Sequence, residues 1–390
     1  METKGLETKV LFSGKGKEYF GIWIVNILLS VITLGIYSAW AKVRNKRYFY
    51  GHTSIAGDSF EYHGQPMQIL KGRAIALVCV LVWSIAEQFS PELSLGLIAA
   101  FVLLLPLLAR SNARFDAAMT SFRNVHFSFY GTVAGAYWSI LGRGMLAMLG
   151  FVAAIAAGFF TMSLNMTAGV AAILILLPAY VYLQAWSLVG MANYFSNGYR
   201  YGECQFSADY KNAFYFKTYM IATIAWLVIT AVLVAAFFMM AGVNLMSNPE
   251  SYLDLMGHSE LAVIMIGYYF GFIAIGLAVG AYLKVRVRNY TFLQLVLQSS
   301  EAESEPKFTF ASTLTVKGYV SLVVVNFLLQ VVTLGIARPW VMVRTMNYLA
   351  NNTSIYGDLD LLVATDQDSN VKSAVSDEVA QAFDVDLGIG

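Results

Sequence analysis

Three pairs of long apolar runs constrain this chain more than anything else in it. The first pair covers residues 74–89 and 93–109, joined by Ser90, Pro91 and Glu92. The second covers 145–160 and roughly 168–190, and the third 219–242 and 261–283. About 20 predominantly apolar residues, with about 17 possible, carry a helix across a bilayer. A soluble core absorbs one or two such runs, not six. Composition points the same way: 58% of the residues are hydrophobic and only 13% charged, against about 25% charged in soluble domains. The polar residues come in short basic blocks between the apolar runs, so the chain reads as a polytopic α-helical membrane protein.

The basic blocks also orient it. Lys71, Arg73, Arg110 and Arg114 flank the first pair, Arg143 and Arg200 the second, and Lys217, Lys284, Arg286 and Arg288 the third. The loops inside the pairs lack Lys and Arg, and the third carries Glu250, Asp254 and Glu260. The positive-inside rule then makes the flanks cytoplasmic and the loops external. The first eighteen residues are polar, with no secretory signal pattern, so the first apolar run is expected to be kept; with the basic flanks inside, both termini are expected in the cytoplasm. A net charge of +1 gives no reason to expect nucleic acid as a partner. Cys79 and Cys204 stand in unrelated contexts and suggest neither a disulfide nor a metal pair.

A second feature is repetition. Residues 25–58 recur at 325–358, with Val25, Asn26, Leu28, Leu29, Val31, Thr33, Leu34, Gly35, Ile36, Trp40, Val43, Arg44, Tyr48, Thr53, Ser54, Ile55, Gly57 and Asp58 identical in register. Fainter echoes at 183–195, 281–290 and 113–129 suggest five degenerate internal repeats. Each would be a β-like segment, an apolar passage, a basic-aromatic exit and a second β-like segment. The expected units are 1–63, 64–129, 130–206, 207–298 and 299–358, the last beginning in an acidic linker, followed by an acidic tail, 359–390. The stretches 52–64, 120–131, 199–210 and 307–312 carry strand formers beside turn signals. They predict short β segments in a small sheet at the cytoplasmic face. The terminal copies hold one apolar run each, 19–40 and 318–340, with basic residues on both flanks. Two readings stay open for them: a re-entrant pair broken at Gly35 and Gly335, or ordinary spans that override the charge rule.

The block running from "TLGIYSAW" through "KVRNKRY" to "HTSIAGDSFEYHG", with "FSGKGKEYFGIW" before it and a second copy near the C-terminus, resembles the YjgN family of bacterial inner-membrane proteins. The resemblance covers residues 10–358 and implies an inner-membrane location. It implies no activity, because that family's function is unknown. Ala56 departs from the pattern, where a second glycine is expected, and the last copy loses most basic residues of its exit helix.

Candidate functional residues follow from position. Asn26 and Asn326 occupy matched places in apolar runs, with Thr33 and Thr333 about two turns further on. Polar groups at membrane depth either bond a neighbouring helix or line a route for a substrate or ion. Trp40, Lys42, Arg44, Arg47 and Tyr48, with Trp340 and Arg344 in the last copy, read as an interfacial anchor or an anionic-headgroup site. His52, Asp58, Glu61 and His63 cluster in sequence, but the last copy has Asn352 and Val363 in place of the histidines, so metal binding is the weaker reading. Asp58 and Asp358 read as turn residues, Arg143 as a snorkelling helix-end cation, Glu87 as solvated, and His126 and His258 as surface residues.

No nucleophile elbow, zinc helix, phosphate loop or dinucleotide fingerprint occurs. The expectation is a non-enzymatic membrane protein without a cofactor, in contact with membrane lipids, with about eight hydrophobic segments of which six span. It would transport a small molecule, ion or lipid. The alternative is a scaffold that docks a protein partner through its β segments and acidic tail.

Overall fold

The computed structural model describes residues 6–240, 259–299 and 307–362. Ten strands are β1 (Glu7–Phe12), β2 (Thr53–Ile55), β3 (Asp58–Tyr62), β4 (Thr120–Phe122), β5 (Val125–Phe129), β6 (Tyr199–Tyr201), β7 (Cys204–Ser207), β8 (Val296–Ser299), β9 (Phe308–Ser312) and β10 (Thr353–Tyr356). The helices are α1 (Gly16–Ile32), α2 (Ser38–Gly51), α3 (Pro66–Phe89), α4 (Pro91–Ala118), α5 (Val133–Ala136), α6 (Arg143–Leu164), α7 (Met166–Gly198), α8 (Asn212–Met240), α9 (Ser259–Gln294), α10 (Val316–Val332) and α11 (Arg338–Asn351). A π-helical turn, Tyr137–Gly142, joins α5 to α6.

All ten strands form one closed antiparallel barrel in chain order, with β10 returning to β1. Glu7 faces Tyr356 across the closing ladder, and the Gly357 N–H donates to the Leu6 carbonyl at 3.2 Å. This corrects the sequence expectation. The β segments are not short pieces of a small sheet but a complete barrel, and the ladders run across every boundary of the five supposed units. The description as degenerate repeats therefore gives way to a single barrel from which helices project.

Alternation explains the barrel's core. Ile55, Phe122, Val125, Tyr201, Cys204, Leu297, Phe308 and Ile355 form one buried cluster, joined by Val10, Phe60, Phe127, Phe206 and Phe310. Every strand contributes its apolar face, and the side chains fill the interior. The Tyr201 hydroxyl, buried there, donates to the Phe122 carbonyl at 2.8 Å. Beyond β10, Leu359 and Leu362 pack onto the same cluster. Arg123 ties that segment down, donating to the Leu359 carbonyl at 2.7 Å and to Asp58 at 2.6 Å.

Connectivity sorts the two rims. Two-residue turns join β2 to β3, β4 to β5 and β6 to β7 at one rim. The first two place both central residues at positive φ: Ala56 (51°) and Gly57 (92°), then Arg123 (48°) and Asn124 (62°). Such turns match the twist of paired strands and favour glycine, which gives the missing glycine at Ala56 its physical meaning. Helices leave and return at the opposite rim: α1–α2, α3–α4, α5–α7, α8–α9 and α10–α11 each connect adjacent strands. Among the described residues, every substantial helix contact joins ring neighbours, and α1 against α11 closes the circle.

Among the described residues, six helices are long and apolar enough to cross a membrane: Pro66–Phe89, Pro91–Ala118, Val133–Leu164, Met166–Gly198, Asn212–Phe237 and Met265–Gln294. The terminal pairs are shorter. Helices α1 and α10 have 17 residues, and α2 and α11 have 14. The chain reverses at 33–37 and 333–337, so both ends of each pair stand at the barrel rim. That hairpin shape is the one the re-entrant reading requires. The acidic linker from 300 to 306 and most of the acidic tail lie outside the described residues, as does His258.

Candidate functional site

The reversal that makes each terminal hairpin is built from matched residues. Thr33 donates its hydroxyl to the Leu29 carbonyl at 2.7 Å and accepts the Tyr37 N–H at 2.9 Å. Thr333 does the same with Leu329 and Ala337, at 2.6 and 3.0 Å. Gly35 (φ 91°) and Gly335 (φ 87°) take the left-handed backbone that side chains resist. Leu34 and Leu334 are forced into the same region at 49° and 51°. Thr33 and Thr333 therefore cap the tips of their hairpins.

Asn26 and Asn326 also serve their own hairpins. The Asn26 amide donates to Asn45 Oδ1 at 3.1 Å, and the Asn326 amide donates to the Thr345 hydroxyl at 3.0 Å. Both are buried, and the Oδ1 of each lacks a protein partner. No hydrogen bond joins the two, although their hairpins are neighbours through α1 and α11. That contact seats Trp340 against Gly16 and sets its ring 5.1 Å from Phe20, tilted by 32°.

The basic-aromatic exit divides by role. The Tyr48 hydroxyl accepts the Lys15 N–H at 2.8 Å and donates to the Lys15 carbonyl at 3.1 Å, locking β1's exit to α2. Arg47 donates to the carbonyls of Tyr62 and Gly64, both at 3.3 Å. Trp40 stacks on Tyr37 and packs on the cluster of Ala39, Val43, Tyr62 and Ile69. Lys42 is half-buried. Arg44 and Arg344 are exposed and, among the described residues, have no hydrogen-bond or ion-pair partner. They are the two candidate cations left without a protein partner among those residues.

The rim also holds an ion pair that the sequence reading missed. Lys46 on α2 meets Asp116 on α4 at 2.6 Å, with side chains 21% and 33% exposed. Lys46 sits 4.9 Å over the Tyr62 ring, and Tyr50 packs 5.8 Å from Tyr62. Burial works against the Lys46 ammonium, but Asp116 and the nearby tyrosines outweigh it and hold its pKa above the ordinary lysine value. Burial pushes Tyr62 up to about 12. The pair clamps two helical hairpins to the barrel. Its signal was present: Asp116 is the lone acidic residue between Glu92 and Glu203.

Other candidates fall elsewhere. Arg143 does not snorkel. Its guanidinium lies 4.6 Å over Trp186, donates to the Trp186 carbonyl at 3.2 Å and presses on Gly190 of α7. The side-chain-free Gly190 is what admits a cation between two membrane helices. Asp58 pairs with Arg123, and Asp358 accepts the Asp360 N–H at 3.1 Å. His63 bonds Ser121 at 2.7 Å beside Glu61 and His126 on the barrel wall, while His52 stays against α2. Among the described residues no group of three His, Cys, Asp or Glu could hold a metal. Glu87 is exposed at the far end of α3.

Charge is graded along the helices. Lys71, Arg73, Arg110, Arg114, Lys217, Lys284, Arg286 and Arg288 stand near the barrel, with Asp116 as the acid among them, whereas Glu87 and Glu92 mark the distal end. A closed barrel over a ring of apolar helices, with a basic belt between, defines a multi-pass membrane protein with an extramembrane β cap. Residues 7–382 match the family described as "Bacterial protein of unknown function (DUF898)". The chain belongs to that family. It is similar to the protein named "Inner membrane protein YjgN" of Salmonella typhimurium (strain LT2), 28% identical over 380 residues, covering 94% of this chain and 92% of that one. It is also similar to the proteins of that name from Escherichia coli O157:H7 and Escherichia coli (strain K12), each 26% identical over 373 residues, covering 90% and 89%. No solved structure matches. The resemblance to YjgN thus holds over nearly the whole chain, and the protein is a multi-pass protein of the inner membrane.

Proposed function

We propose that this protein moves anionic phospholipid between leaflets, with its barrel on the cytoplasmic side. One observation carries the reading. Helices α10, α11, α1 and α2 are consecutive in the ring, and all four stop short. At 1.5 Å per residue they reach about 21–26 Å from the barrel, whereas α3 reaches about 36 Å and α9 about 54 Å. Their tips end at least about 10 Å before their neighbours do. Leu34 and Leu334, at 94% and 93% exposed, lie at those tips. In a hydrocarbon core about 30 Å thick, tips that reach about 21–26 Å end short of the distal surface, so the outer part of the distal leaflet along this arc has no protein beneath it. The bilayer adapts to short hydrophobic segments by thinning, which shortens the path of a headgroup.

Two further features support it. The exposed Arg44 and Arg344 sit on these same hairpins, where a guanidinium attracts phosphate. The barrel interior is filled, which disfavours an aqueous pore through the cap. The basic belt next to the barrel supports its cytoplasmic orientation. A non-enzymatic role is part of the proposal.

The test is reconstitution into vesicles carrying a fluorescent phosphatidylglycerol, with dithionite bleaching of the outer leaflet. Bleaching beyond half, lost in Arg44→Ala with Arg344→Ala, is the expected result. Kinetics equal to protein-free vesicles would reject lipid movement and leave partner docking through the barrel as the better reading. Orientation is read separately by impermeant maleimide on whole cells: Ser163→Cys reacts and Ser59→Cys does not.

A further inference from the structure

Helices α3 and α4 do not close against each other along their distal halves. Between them lies a groove of about 410 Å³ lined by Val78, Val82, Trp83, Leu97, Phe101 and Leu104, with Cys79 and Ala100 also on its wall. Sites of about 300–1,000 Å³ suit small ligands. This one is apolar throughout and lies on helices long enough to span the bilayer. Its natural occupant is hydrocarbon.

The occupant's other end is set by charge. Arg110 and Arg114 lie on α4 between the groove and the barrel, and Arg73 lies on α3. Arg110 is bound to the Gly131 carbonyl at 2.6 Å, and Arg73 bonds Ser38. Arg114 is half-buried and, among the described residues, has no hydrogen-bond or ion-pair partner. Ten residues, about 15 Å of helix, separate Leu104 at the near end of the groove from Arg114, and side chains on a helix lean toward its N-terminus, which for α4 is the groove end. A phospholipid tail reaches about 15 Å, half of the hydrocarbon core. A headgroup held by the Arg114 side chain therefore places the end of one tail in the groove.

We infer that the α3–α4 hairpin is a binding site for one anionic phospholipid, its headgroup against Arg114 and one acyl chain in the groove. The site takes a cytoplasmic-leaflet lipid and stands apart from the notch above the short hairpins. The inference deepens the lipid-handling reading and rests on it for the choice of a lipid as partner.

Delipidated full-length protein titrated with dioleoyl phosphatidylglycerol, and separately with the phosphatidylcholine of the same chains, tests it by native mass spectrometry. One phosphatidylglycerol should bind at least tenfold tighter than phosphatidylcholine. Ala100→Trp, which fills the groove, should weaken it tenfold or more, and Arg114→Ala should abolish the preference between headgroups. The native Cys79 supplies a readout in unmodified protein, with Cys204, buried in the barrel, as the unreactive reference. Added phosphatidylglycerol should slow alkylation of Cys79 by N-ethylmaleimide about fivefold, and phosphatidylcholine should not. Unchanged affinity in a folded Ala100→Trp protein, or Cys79 alkylation indifferent to phosphatidylglycerol, overturns the site. The bleaching assay separates the two claims. Binding without lipid movement keeps the site and removes the proposed function, and movement unaffected in Ala100→Trp protein that has lost the lipid keeps the function without the site.

Discussion

At the scale of single residues, the rim ion pair is where electrostatics is most consequential. Asp116→Asn leaves the Lys46 ammonium in a partly buried place with its counter-charge gone. Because both side chains keep some solvent, the expected cost is about 1–2 kcal/mol rather than the 3–5 of a fully buried pair. Thermal unfolding in detergent measures it, and Lys46→Met combined with Asp116→Asn should cost less than the sum of the two. The pair also sits in an alkaline-sensitive setting. Burial raises Tyr62 and Tyr201 from 10.0 to about 12 in the folded protein. A raised tyrosine holds its proton more tightly folded than unfolded. Stability is therefore full below about pH 10 and falls as pH climbs from 10 to about 12, by about 2–3 kcal/mol for each tyrosine. Lys46, also raised, loses its contribution in the same direction. A melting temperature flat to pH 9.5 and falling above 10 is expected, and Tyr201→Phe should blunt the fall. Asp116 could have been found from its isolation in a basic stretch. The partner on α2 could not, since seventy residues separate the two.

At the scale of elements, the two hairpins show how a phrase of sequence becomes a shape. Threonine, leucine and glycine in the order 33–35 recur at 333–335, and both copies fold to the same capped reversal. The leucines are the costly choice, since left-handed backbone is unfavourable for them by about 1–2 kcal/mol each. Their near-complete exposure means that packing does not repay this. Asparagine tolerates that backbone and is polar. Leu34→Asn with Leu334→Asn should keep the melting temperature within a few degrees while slowing lipid movement several-fold. A stable variant that moves lipid at the unaltered rate would show that the apolar tips have no part in it. The reversal was legible only as one of two open readings: Gly35 and Gly335 stand mid-run with cations on both sides, but an ordinary span fitted the same residues. That Asn26 and Asn326 face their own hairpins was not legible, because identical position in two copies says nothing about which neighbour each side chain meets.

At the scale of the whole molecule, closure of the barrel governs integrity. Strand β10 pairs with both β1 and β9. A chain ending at Asn352 would expose two edges at once, and unpaired edges invite association. It should run as aggregate on size exclusion, whereas a chain ending at Leu362 keeps β10, Leu359 and Leu362 and should run as wild type. An equally dispersed Asn352 truncation would mean that closure is dispensable. The sequence by itself determined the six membrane helices and the existence of most strands, because those depend on local hydrophobicity and on turn residues read within a short window; the inner-membrane location came with the resemblance to YjgN. Only the tertiary structure decided that the strands form a closed barrel, that Lys46 meets Asp116 and that Arg143 lies over Trp186. Each strand is only three to six residues long and is separated from some partners by a whole helical pair. Pairing over such distances is fixed by the register of all ten strands together, and no local pattern encodes it.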